Sequence, residues 1–193
     1  MLKITLATSN LHKVEEINLI AKDFDIEFIM PKGEFNPIED GDDFLKNAFC
    51  KAKAASVLGG SELFLADDSG LCVEALNGAP GIYSARYEST PKKRIEKLLS
   101  NMKNKQNRNA KFVCAMVLTD KNANIVFQTQ QECLGSILEE ERGSGGFGYD
   151  PVFFVNEKQK GMAELTKEEK ATVSHRAKSL NVVLNWLKNE YKK

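Results

Sequence analysis

An apolar run at residues 63–66 gives way at once to two adjacent carboxylates, Asp67 and Asp68, followed by Ser69 and Gly70. Side chains alternate along a strand, so the two acids point to different sides of the chain. A strand terminus of this kind can hold a divalent cation. Hard cations such as Mg²⁺ take oxygen ligands, usually one or two carboxylates plus substrate phosphates. The second carboxylate would then orient the loop or handle a proton. The same residues equally suit a plain acidic turn, because Asp, Ser and Gly are all turn formers. Glu39, in Ile38-Glu39-Asp40-Gly41, is a candidate second metal carboxylate, and its neighbours Asp40, Asp42 and Asp43 compete for the role.

Other segments carry anion or ring chemistry. Thr8-Ser9-Asn10-Leu11-His12-Lys13 joins an expected strand to an expected helix. Free N–H groups at a helix start attract phosphate, and hydroxyls and an amide add to them. Lys13 in the first turn opposes the helix dipole unless an anion is near, and Glu15, Glu16 or a ligand phosphate can be that anion. Lys51 and Lys53 sit on an Ala-rich helix, with Lys51 close to the stripe of Ala48, Ala52 and Ala55. Gly143-Ser144-Gly145-Gly146-Phe147-Gly148 literally fits a dinucleotide fingerprint, but that motif needs a strand before it and a helix after it. Pro151 bars an immediate helix. The glycines instead suit close approach to a flat ligand, with Phe147 stacking and Asp150 bonding an edge, or a hairpin loop with Phe147 in the core. Ser174-His175-Arg176 opens the last helix. Arg176 offers a donor fork, and His175 near a helix start tends to the neutral form, able to donate or accept. Lys170 lies in a charged helix start, and a surface ion pair explains it as well as a ligand does.

The elements that must position these groups follow from pattern. Residues 2–7 and 25–30 alternate as strands, and helices are expected at about 11–22 and 43–58, the second closed by Gly59-Gly60. A strand at 63–66 leads into the acids. Pro91 opens a helix to about residue 102. Residues 111–119 and 124–133 form a hairpin across Asp120-Lys121-Asn122-Ala123, and residues 151–155 form a short apolar strand. Thr166-Lys167-Glu168-Glu169 resembles a capping box. A last helix buries Ala177, Leu180, Val183, Leu184 and Leu187. Residues 82–87 fit no pattern. Strands alternating with helices, plus a central hairpin, give a mixed sheet flanked by helices in the α/β class, one domain over 1–193.

Composition narrows the function. The 193 residues carry 27 basic and 27 acidic side chains, so no global field steers the chain to nucleic acid or an anionic membrane. Four cysteines without a Cys-x-x-Cys, and two distant histidines, argue against zinc and for buried thiols in a reducing cytosol. No apolar run reaches membrane-spanning length, so a soluble, cytoplasmic protein is expected.

Five blocks, in order, resemble one known family. They are Leu6-Ala7-Thr8-Ser9-Asn10-Leu11-His12-Lys13, Ala66-Asp67-Asp68-Ser69-Gly70-Leu71, residues 78–87 (Gly-Ala-Pro-Gly-Ile-Tyr-Ser-Ala-Arg-Tyr), Gly145-Gly146-Phe147-Gly148-Tyr149-Asp150-Pro151 and Ser174-His175-Arg176. The chain is similar, nearly end to end, to the inosine triphosphate pyrophosphatases. The resemblance implies an elongated α/β fold of two lobes with a central cleft that takes the substrate, and a homodimer. It implies Mg²⁺-dependent hydrolysis of non-canonical purine nucleoside triphosphates (ITP, dITP, XTP) to the monophosphate and pyrophosphate. It places Asp68 as general base and metal ligand, with Glu39 as second ligand. By the same resemblance Thr8, Ser9, Asn10, Leu11, His12 and Lys13 hold the triphosphate, helped by Ser69, Lys51 and Lys53. Phe147, Gly148, Tyr149, Asp150, Lys170, His175 and Arg176 receive the base and its neighbouring phosphate.

Overall fold

A computed structural model describes residues 1–191. In chain order it contains β1 (Leu2–Leu6), α1 (Leu11–Ala21), β2 (Ile26–Ile29), α2 (Phe44–Leu58), β3 (Leu63–Val73), α3 (Pro91–Asn101), β4 (Asn109–Asp120), β5 (Ile125–Ile137), β6 (Phe153–Val155), β7 (Lys160–Gly161), α4 (Lys167–Val173) and α5 (His175–Trp186). The strands form one mixed sheet in the order β2-β1-β3-β4-β5-β6-β7. Strand β1 pairs in parallel with β2 and with β3, whereas β5, β6 and β7 pair antiparallel. The α/β class read from the sequence is the class observed.

Helix ends follow side-chain chemistry. Asn10 Oδ1 accepts the His12 N–H at 3.0 Å and opens α1; Asp43 Oδ1 accepts the Lys46 N–H at 2.7 Å and opens α2. Gly59, at φ 68°, closes α2 in a conformation costly for other residues. The expected capping box is present: Thr166 Oγ1 accepts the Glu169 N–H at 3.1 Å, and Glu169 Oε2 accepts the Thr166 N–H at 2.8 Å.

Two expectations are corrected, and one unplaced stretch gains an assignment. The strand does not end at the acids: β3 runs through Asp67, Asp68, Ser69 and Gly70 to Val73. Turn propensity yields there because cations from neighbouring helices meet both carboxylates. Residues 151–155 are only in part a strand. A 3₁₀ turn at Asp150–Val152 comes first, since Pro151 has no N–H for a ladder. The unassigned stretch near residue 82 is a 3₁₀ segment, Gly81–Arg86.

The chain divides into two compact units, each built from separate stretches: Met1–Asp68, Cys114–Gln131 and residues 176–191 in one, Ser69–Val113 and Glu132–His175 in the other. In the first, β3 is buried on both faces. Leu63 and Leu65 pack with Ile4, Leu6, Ile17, Met116, Leu180 and Val183, on the side of α1 and α5. Phe64 and Ala66 pack with Ala7, Ala52 and Ala55, on the side of α2. Strand alternation carries those two faces on to Asp67 and Asp68 respectively. The second unit has its own core, including Leu71, Val73, Leu98, Phe112, Phe153, Met162 and Val173.

Candidate functional site

Asp67 is 1% exposed and lies on the α1/α5 side of β3. Its two oxygens each stand 3.0 Å from Lys13 Nζ. Arg176, from α5, brings Nη2 to 3.2 Å and Nε to 3.3 Å, and its Nη1 also pairs with Glu16 of α1. Burial alone would raise the Asp67 pKa, but Lys13, Arg176 and Lys51 together hold it well below the ordinary carboxylate range. Lys13 shifts down as well, because burial and the nearby cations Lys51 and Arg176 outweigh its partner Asp67. One carboxylate is thus shared among several cations.

Asp68 faces α2. Its Oδ1 is 2.8 Å from Lys51 Nζ, and its Oδ2 accepts from Asn47 Nδ2 at 3.3 Å. Lys51 Nζ is also 3.2 Å from Glu39 Oε1. Here several carboxylates share one cation. Burial opposes the charge on Lys51, yet Asp68, Asp67 and Glu39 raise its pKa. Burial raises the Asp68 pKa, Lys51 counters it, and Glu39 adds to the rise. Adjacent acids are therefore pushed in opposite directions, Asp67 toward the anion and Asp68 toward the protonated form. Environments that split a carboxylate pair in this way mark out acid/base roles.

Glu39 and Asp68 converge on one ammonium, so their oxygens lie within reach of a common cation. Among the described residues there is no group of three or more His, Cys, Asp or Glu that could hold a metal ion. Two carboxylates are what Mg²⁺ needs from a protein when substrate phosphates supply further oxygens, so the donor set fits that ion. Of the competing acids, Asp42 and Asp43 pair with Lys46, on the exposed start of α2, and Asp40 Oδ1 accepts from Cys50 Sγ at 3.8 Å.

The two lysines of α2 part company. Lys51 is buried beside Asp68, whereas Lys53 is exposed. At about 100° per residue they lie roughly 200° apart around the helix, so one face cannot present both, and Lys53 is not brought to the cluster. In the segment before α1, Thr8 is buried and its Oγ1 accepts the Asn10 N–H at 3.1 Å. Ser9, Leu11 and His12 are exposed. Lys13 turns to Asp67 rather than to Glu15 or Glu16.

The second unit holds the remaining candidates. Asp150 is buried, and its Oδ2 accepts from the Phe147 N–H and from Lys170 Nζ, each at 2.8 Å. Lys170 Nζ also stands 4.7 Å from the Phe147 ring centroid, a cation–π arrangement that fixes the ring. Phe147 itself is half-buried and Ser69 likewise. His175 is 5% exposed and stacks on Phe112, with centroids 4.7 Å apart and planes at 12°. It is a core histidine, not a surface one. Tyr149 is committed to structure: its ring lies in the core and its hydroxyl donates to the Ser84 carbonyl at 2.9 Å. Two glycines of the loop are required by the protein's own packing. A Cβ on Gly146 would sit 2.1 Å from Asp150 Oδ2, and one on Gly143 would sit 2.4 Å from the Ala163 carbonyl. Only Gly148 (φ 64°) has open space where a side chain would go.

Arg176, expected beside the base, lies at the start of α5 and meets Asp67. It is 2% exposed and its guanidinium is taken up by Asp67 and Glu16. Sequence reasoning missed Asp67 as an anchor and Asn47 altogether. The signals were available: Asp67 alternates with Asp68, and Asn47 stands four residues before Lys51, hence on the same helix face.

A model described as the Ham1 family matches residues 4–186. A dITP/XTP pyrophosphatase of Nostoc sp. is 44% identical over 181 residues, covering 94% of this chain and 92% of its own length. One from Desulfotalea psychrophila is 47% identical over 186 residues, covering 92% and 81%. The solved structure of the Staphylococcus aureus Ham1 protein superposes with a TM-score of 0.86 at 36% identity, covering 97% of this chain and 99% of that one.

Proposed function

From the chain's membership of the Ham1 family, we propose that it hydrolyses non-canonical purine nucleoside triphosphates, dITP, XTP and ITP, to the monophosphate and pyrophosphate. The relatives named dITP/XTP pyrophosphatases support the substrate class. The observation that carries the chemistry is geometric: Asp68 Oδ1 stands 2.8 Å from Lys51 Nζ, which also lies 3.2 Å from Glu39 Oε1. Asp68 accepts the proton of a water whose oxygen bonds to the α-phosphorus. The bond from that phosphorus to the bridging oxygen breaks, and pyrophosphate leaves with the electron pair. Positioning and charge neutralisation dominate such a reaction. Glu39 and Asp68 are the residues that would hold Mg²⁺, which when bound offsets phosphate charge and makes a nearby water more acidic. Lys51 orients Asp68 and adds positive charge beside it. Thr8, Ser9, Asn10, His12 and Lys13 bind the triphosphate, with Ser69. Asp67 and Arg176 hold Lys13 and the start of α5 in place.

Phe147 stacks on the base, and the Asp150–Lys170 pair keeps that ring in register. His175 donates to the 6-keto oxygen. A 6-amino purine would present a donor to that donor and lose affinity. The same reading has the enzyme act as a homodimer on free nucleotides in the cytoplasm. The four cysteines, all free thiols, suit a reducing compartment. The deciding experiment incubates the protein with Mg²⁺ and a panel of ITP, dITP, XTP, ATP, GTP and pyrimidine triphosphates and assays pyrophosphate against orthophosphate. Pyrophosphate release confined to the keto, non-canonical purines is expected. Binding without turnover, or turnover of pyrimidines alone, overturns the reading.

A further inference from the structure

Asn47 is fully buried (0% exposed) in the first turn of α2 and is not itself ionisable. Its side-chain amide joins the backbone of one loop to a carboxylate of β3. Oδ1 accepts the Gly41 backbone N–H at 2.9 Å. Nδ2 donates to Asp68 Oδ2 at 3.3 Å. Gly41 lies two residues after Glu39, in the loop that brings Glu39 to within 3.2 Å of Lys51 Nζ. Lys51 meets the other oxygen of Asp68 at 2.8 Å.

We propose that Asn47 is a positioning residue that fixes the Glu39 loop and the Asp68 carboxylate relative to one another, and so sets the pair for cation binding and proton transfer. The inference rests on the roles given to Asp68 and Glu39 above. Its argument is one of hydrogen-bond polarity. A backbone N–H only donates and an ionised carboxylate only accepts. A side chain that serves both must end in an acceptor and a donor side by side, and Asn does so at this reach. The Gly41 N–H fixes which way the amide lies, so the NH₂ must turn to Asp68. Aspartate of the same shape keeps the acceptor and sets a second anion against Asp68. Leucine loses both bonds.

Gly41 matches this assignment from the other side. A Cβ there would stand 2.8 Å from Lys46 Cβ and 2.9 Å from both the Asn47 N and Oδ1 atoms. The loop therefore approaches the start of α2 so closely that only glycine leaves the amide its place. Groups that orient metal-holding or catalytic carboxylates are typically worth about 10- to 100-fold in activity or metal affinity.

The test compares wild type with Asn47→Asp, Asn47→Leu and Asp68→Asn, each confirmed as folded by circular dichroism. It uses steady-state ITP hydrolysis and amide hydrogen exchange of Gly41. Asn47→Asp is expected to lower kcat by about 10- to 100-fold, with KM for ITP changed far less and Gly41 still protected. Asn47→Leu is expected to lose both kcat and Gly41 protection. If Leu prevents folding, the Asp variant and the wild-type exchange rate still decide. Wild-type kcat in Asn47→Asp overturns the inference, as does fast exchange of Gly41 in the wild-type protein. A merely structural role would lower the melting temperature and leave kcat per folded molecule unchanged. Full activity in Asp68→Asn would instead sink the proposed reaction, which separates the two failures.

Discussion

Asp67 and Asp68 are consecutive in β3, and their carboxylates meet different cations: Lys13 at 3.0 Å and Arg176 at 3.2 Å for the first, Lys51 at 2.8 Å for the second. The pleat sends them to opposite faces of one buried strand. Each face already has its helices, α1 and α5 on one side and α2 on the other. The same alternation that buries Leu65 and Ala66 thus sets the two acids among different cations, and the proposed reaction uses only Asp68 as its base.

Removing one oxygen charge at a time should separate these tasks. Asp68→Asn should stay folded and lose about 10²- to 10⁴-fold in kcat, the usual scale for a general base. Asp67→Asn removes the anion shared by Lys13 and Arg176, both largely buried. Breaking a buried pair from one side costs roughly 3–5 kcal/mol, so its urea midpoint should drop markedly. A variant pair in which Asp67→Asn is the silent, stable one would reverse the assignment.

The split of the acids is legible in part in the sequence. Period-two alternation sent them apart, and the Thr166 capping box marked a helix start correctly. What could not be read was how far β3 continues. Asp-Asp-Ser-Gly is turn chemistry locally, and only cations from distant parts of the chain, Lys13, Lys51 and Arg176, make it a strand. Long-range pairing also sets the contacts of Arg176, whose fork meets Asp67 and Glu16. Tyr149 was drawn into the core by a Ser84 carbonyl 65 residues away. Local sequence holds no record of such partners.

Lys51 and Lys53 offer a test of helix geometry. Lys51→Met keeps the buried stem and removes the ammonium that Asp68 and Glu39 share. It should reduce kcat by about 10²-fold, the scale of losing one preorganised charge-stabilising donor. Lys53→Met alters an exposed side chain on the far side of α2 and should change kcat/KM by less than about twofold, with stability shifted by no more than about 0.5 kcal/mol. Comparable losses in both would mean that α2 presents a different face to the substrate.

His175 is best examined through a ratio. His175→Ala removes a ring stacked on Phe112 and will cost some stability. Both substrates meet the same folded population, however, so the ratio of ITP to ATP kcat/KM is insensitive to that cost. Losing one donor to the keto oxygen should narrow the ratio by about tenfold, the equivalent of a single hydrogen bond of ordinary strength. A ratio equal to that of wild type would remove His175 from base selection and leave it as a core residue.

The thiols give a prediction with a definite pH sign. Cys114 and Cys133 are buried at 0% and 1% exposure, whereas Cys50 and Cys72 are half-buried. Burial is the main cause that raises the pKa of Cys50 and Cys72, and it pushes Cys114 up to about 12. The thiolate is the reactive form, so labelling of the native protein by a disulfide reagent should be slow at pH 7 and accelerate as pH rises past 9. It should stop at two thiols per chain. All four should react in denaturant. The raised Cys114 value also means that the folded state holds its proton more tightly than the unfolded chain. Its contribution to stability is complete below the ordinary cysteine value of 9.0 and is lost as pH climbs from there toward about 12. Urea midpoints measured across that interval should therefore fall less steeply in Cys114→Ala than in wild type, and an equal slope in the two proteins would show that Cys114 ionises as freely in the fold as outside it.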